Sequence, residues 1–149
     1  CMRKYIALFL ALVCVLGLVG CSTDNSGALK TTEESTHTIS ADLDVIFTVD
    51  EHTTEQATCT IENMSEQEIV YDYSYGIEVK QNGKWYAIEH DEMMVQTVQL
   101  SLNPGEKETF VCNWKDGYGA LPKGTYRIIK NASISEFEFV WLSAEFSVE

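Results

Sequence analysis

Between Leu43 and Val148 the chain is written in short runs that alternate apolar and polar residues, each closed by a turn signal. That period of two is the tightest constraint on the fold, because it turns one face of each run towards a core and the other towards water. Leu43, Val45, Phe47 and Val49 form the first buried face, and Ala57, Cys59 and Ile61 the second. Ile69, Tyr71, Tyr73 and Tyr75 form the third, and Gly76 marks a bend or bulge where the run continues through Ile77-Glu78-Val79. Lys84 to Ile88 and Val95 to Leu102 follow, the latter ended by Asn103-Pro104-Gly105-Glu106. Phe110, Cys112 and Trp114 share a face of the next run. Lys115 to Lys123 is a Gly- and Pro-containing loop with room for one helical turn. Gly124 to Ile129 is a strand, and Phe139 to Val148 buries Val140, Leu142, Ala144, Phe146 and Val148. No sustained 3.6-residue period appears after residue 20.

Seven to nine short strands at near-regular spacing predict an all-β domain, a sandwich rather than the rival small barrel. The long loop before Tyr126 suits a crossing from sheet to sheet. Tyr126, at the start of the penultimate strand, stands where a tyrosine corner would. Asn82-Gly83 is a hairpin signal with two registers. A two-residue loop pairs Val79 with Tyr86. A three-residue loop, Gln81-Asn82-Gly83, pairs Val79 with Trp85 and puts the indole on the core face. Burial of the indole favours the second.

Tyr75-Gly76-Ile77-Glu78-Val79, Asn82-Gly83-Lys84-Trp85-Tyr86, Leu102-Asn103-Pro104-Gly105-Glu106 and the stretch from Tyr118 to Ile128 together resemble the bacterial immunoglobulin-like domains of Firmicute surface lipoproteins. The resemblance covers Asp42 to Val148. It implies an immunoglobulin-like β-sandwich and a surface address, and carries no catalytic motif. Cys59 and Cys112 are not part of it.

Ahead of the alternating region the chain changes character twice. Met2-Arg3-Lys4 is positive, and the 14 residues Ile6 to Val19 are apolar. A transmembrane helix needs about 20 such residues. Residues 1–20 therefore read as a signal-peptide helix. Leu18-Val19-Gly20-Cys21 resembles a bacterial lipobox, which implies cleavage before Cys21 and a diacylglycerol on its sulfur. The mature protein is then expected at the cell membrane, lipid-anchored on the extracellular side. After Cys21, residues 22–40 hold no aromatic side chain and only Leu29 and Ile39 as large aliphatics. Such a stretch cannot repay its ordering entropy by burial, so residues 21–40 read as the lipidated cysteine and a disordered tether spanning roughly 25 Å. Residues 41–149 are the folded domain.

Net charge is −13, and removing residues 1–20 takes away two cations and no acid, leaving −15. That excludes nucleic acid as a partner, which needs clustered Lys and Arg. The acids are spread rather than blocked and serve solubility. His37, His52 and His90 lack metal-ligand spacing, and the run Glu89-His90-Asp91-Glu92 points its neighbours apart. There is no nucleophile elbow, phosphate loop, zinc motif or rigid carboxylate pair. No catalytic residue, metal or cofactor is expected, and the chain reads as a binding module rather than an enzyme.

Three aromatics are candidate ligand contacts. Tyr71 and Tyr73 belong to a stripe that is either a stacking platform or a core face, and the polar opposite face favours core. Trp141, on the polar side of its strand beside Phe139 and Ser143, is the better candidate for exposure. Cys59 and Cys112 both lie on core faces, and two readings stand open. One is a cross-strand disulfide closing a 54-residue loop, worth about 4 kcal/mol in the chain-entropy model. The other is a pair of buried free thiols. The expected function is surface binding or adhesion towards an unidentified protein or carbohydrate. The alternative is an accessory or sensory lipoprotein partnering a receptor, transporter or peptidase in the membrane.

Overall fold

The computed structural model describes residues 29–136 and 138–149. In chain order the elements are β1 (Thr31–Glu34), β2 (Val45–His52), β3 (Gln56–Asn63), β4 (Ile69–Tyr71), β5 (Gly76–Gln81), β6 (Lys84–Ile88), β7 (Leu100–Leu102), β8 (Lys107–Asn113), the single helical turn α1 (Lys115–Tyr118), β9 (Gly124–Ser135) and β10 (Glu138–Val148). All strand pairs are antiparallel. β2, β3 and β8 form a small sheet in that order. The large sheet is organised on β9. β10 runs along one side of it, while β5 and β4 share the other, against residues 126–129 and 132–133. β6 and then β1 extend the sheet beyond β5, and β7 extends it beyond β4.

Alternation delivers the core as expected. Phe47, Cys59, Ile61, Phe110 and Cys112 of the small sheet face Ile77, Val79, Ile128, Leu142 and Phe146 of the large one, all buried. Trp114 closes one end. It is fully buried, its ring lies 5.6 Å from that of Phe146, and its indole N–H donates to the Thr54 carbonyl at 2.8 Å. Tyr126 makes the expected corner, since its hydroxyl donates to the Pro122 carbonyl at 2.6 Å. Gly124 leaves room for it: a Cβ there would stand 3.1 Å from the phenol oxygen.

Several expectations need correction. Ten strands are found among the described residues, because the tether contributes one and the tyrosine run splits in two. Residues 31–40 are not a tether. β1 pairs with β6, the Ser35 N–H donates to the Trp85 carbonyl at 2.8 Å, and Ile39 bridges Trp141 in parallel. A composition argument counts apolar burial, whereas this segment gains its order from backbone pairing at a sheet edge and from polar side chains that cap a buried charge. Residues 1–28, including those read as a signal peptide and the cysteines Cys1, Cys14 and Cys21, lie outside the described residues.

The hairpin takes the two-residue loop, pairing Val79 with Tyr86 and Lys80 with Trp85. Asn82 and Gly83 have φ of 50° and 79°, the left-handed pair of a type I′ turn, whose twist matches the strands. Trp85 does not need the core face, because the Arg127 guanidinium covers its indole at 4.6 Å on the outer face, with Lys80 at 5.1 Å. The tyrosine run breaks at Asp72, whose carboxylate accepts from the Ser74 N–H at 2.8 Å. Of the strand expected over Val95 to Leu102, only Leu100–Leu102 pairs.

Candidate binding cleft

Tyr71, Tyr73 and Tyr75 all reach from the large sheet across to β8. Tyr71 is 3% exposed, and its hydroxyl donates to Glu108 Oε2. That burial removes Tyr71 from the candidate contact residues. Tyr73 is half-buried, donates to Glu108 Oε1 at 2.7 Å and sets its ring edge-on to Phe110 at 5.5 Å. Tyr75 donates to the Asn113 carbonyl at 2.8 Å. Burial raises the Tyr71 and Tyr75 phenols above their ordinary value, with Glu108 adding to it for Tyr71; for Tyr73 the bond to Glu108 comes first. All three act as fixed, protonated donors.

The turn that carries Tyr73 is pinned by a residue that alternation alone does not single out. Lys130 lies on the core face of β9, fully buried, and its amine donates to the Asp72 and Ser74 carbonyls, the latter at 3.0 Å. Phe110 and Tyr71 present their ring faces to it at 5.1 and 5.3 Å. Burial lowers its pKa below the ordinary lysine value. A lysine among core-face residues opposite a tyrosine stripe is the sequence signal that points to it.

Between β8 and the segment Met94–Gln96 a cleft of about 420 Å³ opens. Tyr73, Tyr75 and Phe110 are its aromatic lining, Val111 is 57% exposed on β8, and Met94 and Val95 form the opposite wall. No lining residue carries a formal charge, and Gln96 and Asn113 supply the side-chain amides.

Trp141 sits in a second depression, of about 280 Å³, on the outer face of the large sheet with Asn131 and Ser74. It is half-buried, because the His37 ring packs 4.2 Å from its centroid. Phe139, two residues earlier on the same face, is the more exposed aromatic at 65%, and lines an adjoining hollow with Asn131 and Ser133. The structure therefore separates Trp141 from Tyr73 rather than joining them in one platform.

Beside Trp141 lies a closed polar cluster. Glu78 is 1% exposed, and its Oε2 accepts from Arg127 Nε at 2.6 Å, with Arg127 Nη2 also at 2.6 Å. Its Oε1 accepts from Ser35 Oγ at 2.6 Å and from His37 Nδ1 at 2.8 Å. Burial pushes the carboxyl up, but bonds from Ser35, His37 and Arg127 and the guanidinium charge outweigh it, and the net shift is downward. Among the described residues no buried side-chain polar atom lacks a partner, and no three His, Cys, Asp or Glu groups stand ready for a metal. His90 of the acidic loop is engaged in packing, with its ring 4.4 Å from Tyr118.

Cys59 pairs with Phe110 and Cys112 with Ala57, so the two cysteines are diagonal, not opposite. Diagonal positions stand about 7–8 Å apart, at or beyond the reach of a disulfide. Both thiols are free and buried, which sets aside the cross-strand bond. Contact with Cys59 and burial hold the Cys112 thiol above its ordinary value, and the pair packs as small apolar side chains.

Two antiparallel sheets and the Tyr126 corner meet a family model described as "Bacterial Ig-like domain", which matches residues 31–147. The chain belongs to the bacterial Ig-like domain family. The match opens on Thr31, the first residue of β1, so the segment over the outer face falls within this Ig-like domain. Such domains are typically non-catalytic and usually surface-exposed. No curated protein matches the chain.

Proposed function

We propose that this Ig-like domain is a lipid-anchored extracytoplasmic binding module, held at the membrane by diacylglycerol on Cys21 and engaging its partner through the cleft beside β8. The cleft is the observation that carries the reading: an uncharged aromatic hollow in a chain of net charge −13, with exposed Val111 at its rim. Isolated apolar side chains are ordinary on a surface, but a concave apolar patch with a few amides is what binding sites are made of. The lipobox-like Leu18-Val19-Gly20-Cys21 supports the anchor.

A partner in the same membrane, the accessory reading, is favoured by one further observation. With Thr31 already in the sheet, only nine residues, Ser22–Lys30, separate Cys21 from the first strand. Nine residues reach at most roughly 30 Å when fully extended, which would hold the domain near the bilayer.

Photo-crosslinking in intact producing cells tests the module. A photoreactive residue at position 111 is expected to give discrete adducts, and one at exposed Ile46 on β2 none. Equal labelling at both, or none at 111, overturns it. For the anchor, Cys21→Ser is expected to leave uncleaved precursor or protein shed to the medium. Unchanged partitioning into the detergent phase would count against lipidation.

A further inference from the structure

We infer that the cleft takes an extended peptide from another protein, apolar at its centre and basic at its ends, which adds to the small sheet as a strand alongside β8. This deepens the reading above and rests on it.

The backbone is the first ground. β8 is the last strand of the small sheet, and among the described residues no strand pairs with its outer side. Trp114 N–H donates to the Glu55 carbonyl, and Asn63 N–H to the Glu106 carbonyl. The register between β3 and β8 then assigns the bonds to β3 to even-numbered residues of β8. The N–H and C=O groups of Thr109 and Val111 therefore face outward into the open side. An unpaired row of this kind is a template for another strand.

The other strand edges are guarded and this one is not. β1 carries Glu33 and Glu34 and an irregular register, β2 a register shift with Asp50 and Glu51, and β7 is only three residues long. β10 is met at Trp141 by Ile39 and Ser40. From Thr109 to Asn113, β8 has regular pairing, no charge and no proline. Its charged residues, Lys107 and Glu108, stand together at the far end.

Side-chain chemistry selects the occupant. The Tyr73 and Tyr75 hydroxyls are already spent on Glu108 and the Asn113 carbonyl. That leaves two amides for a ligand, too few for a sugar, whose hydroxyls would be buried unpaired. A peptide strand satisfies its own polar groups on the β8 backbone and offers alternate apolar side chains to Tyr73, Phe110 and Val111. Met94, flexible and fully exposed, makes an adaptable wall. Asp72, Glu92 and Asp116 lie within three residues of the lining in sequence, the chain carries a net charge of −13, and Lys115 is paired with Glu55 at 3.4 Å. Basic ends on the peptide complement that excess of acid. A second copy of this chain brings the same −13 and the same acids, and is disfavoured.

The test is selection of a displayed library of random 12-residue peptides on the full-length chain in mild detergent. Enriched sequences are expected to alternate β-branched or aromatic residues at the centre, lack proline and carry Lys or Arg at the ends. On binding a synthetic representative, amide exchange at Thr109 and Val111 should slow at least tenfold. N-methylation of its central amides should weaken binding at least tenfold, as should Val111→Lys, which installs the missing guard; Val111→Thr should change it less than threefold. No enrichment, an acidic or proline-rich pool, indifference to N-methylation or Val111→Lys, or displacement by glycans would overturn the inference. An adduct at position 111 in cells alongside any of these would leave the binding module standing with a different ligand. Absence of that adduct removes both.

Discussion

The outer face of the large sheet and the cleft beside β8 are made of similar aromatic material and end in opposite states. Under residues 31–39, Trp85 and Trp141 flank a buried carboxylate and guanidinium, and the chain folds its own segment over them. Beside β8, Tyr73, Tyr75 and Phe110 line a neutral hollow that none of the described residues covers. The difference is the charge. A desolvated ion costs several kcal/mol unless every lone pair is met, so Glu78 needs Ser35 and His37 as well as Arg127. A neutral hollow demands no such cap and stays open to a partner.

The largest expected effect comes from breaking the closed region. Arg127→Ala leaves Glu78 buried without its countercharge and should cost about 3–5 kcal/mol in urea unfolding. The double substitution Glu78→Leu with Arg127→Leu should restore most of that, because it removes the need for the cap. A double variant as unstable as the single one would mean that the residues over this face are held by something other than the ion pair.

The two regions should also separate by pH. Glu78 has a folded value below its unfolded one, so its stabilisation is complete above the unfolded value, about 4.3, and is lost as pH falls through the folded value. Tyr71, Tyr73 and Tyr75 have raised values, so their contribution is complete below the unfolded value of about 10 and is lost as pH rises beyond it. Lys130, lowered by burial, has the opposite slope below about 10.4. In an amide-resolved titration, acid should release residues 31–40 before the cleft, and alkali should loosen the 72–75 turn first. Loss of both at one pH would erase the distinction.

Tyr73→Phe removes one donor from Glu108 at a half-exposed site and should cost about 1 kcal/mol, leaving the aromatic lining intact. Peptide affinity is expected to hold, since that hydroxyl is not offered to a ligand. The smallest effect is expected from a reductant. With Cys59 and Cys112 free, dithiothreitol should leave the melting temperature unchanged, and alkylation after unfolding should label both. A lowered melting temperature would restore the disulfide.

The alternating runs made the sandwich legible, and β10 reads off the sequence residue by residue because one face is buried throughout. Tyr126 was legible for the same reason, as a turn residue with one place to go. Residues 31–40 were not, because their order comes from the β6 edge and from Glu78, partners far away in sequence. The hairpin register was missed because an indole on the outer face found cover from Arg127. The cleft was half legible. Tyr73 belonged to a visible stripe, but β8 became an unguarded edge only once the strand order was known.

Native-state amide hydrogen exchange on the full-length chain without ligand tests the contrast most directly. The Ser35, Ser40 and Glu89 amides, bonded to the carbonyls of Trp85, Trp141 and Lys30, are expected to exchange at least a hundredfold more slowly than those of Thr109 and Val111 on the open side of β8. Fast exchange at Ser35 and Ser40, or protection at Thr109 and Val111 equal to that of Phe110 and Cys112, would contradict a face that closes itself beside an edge that stays open.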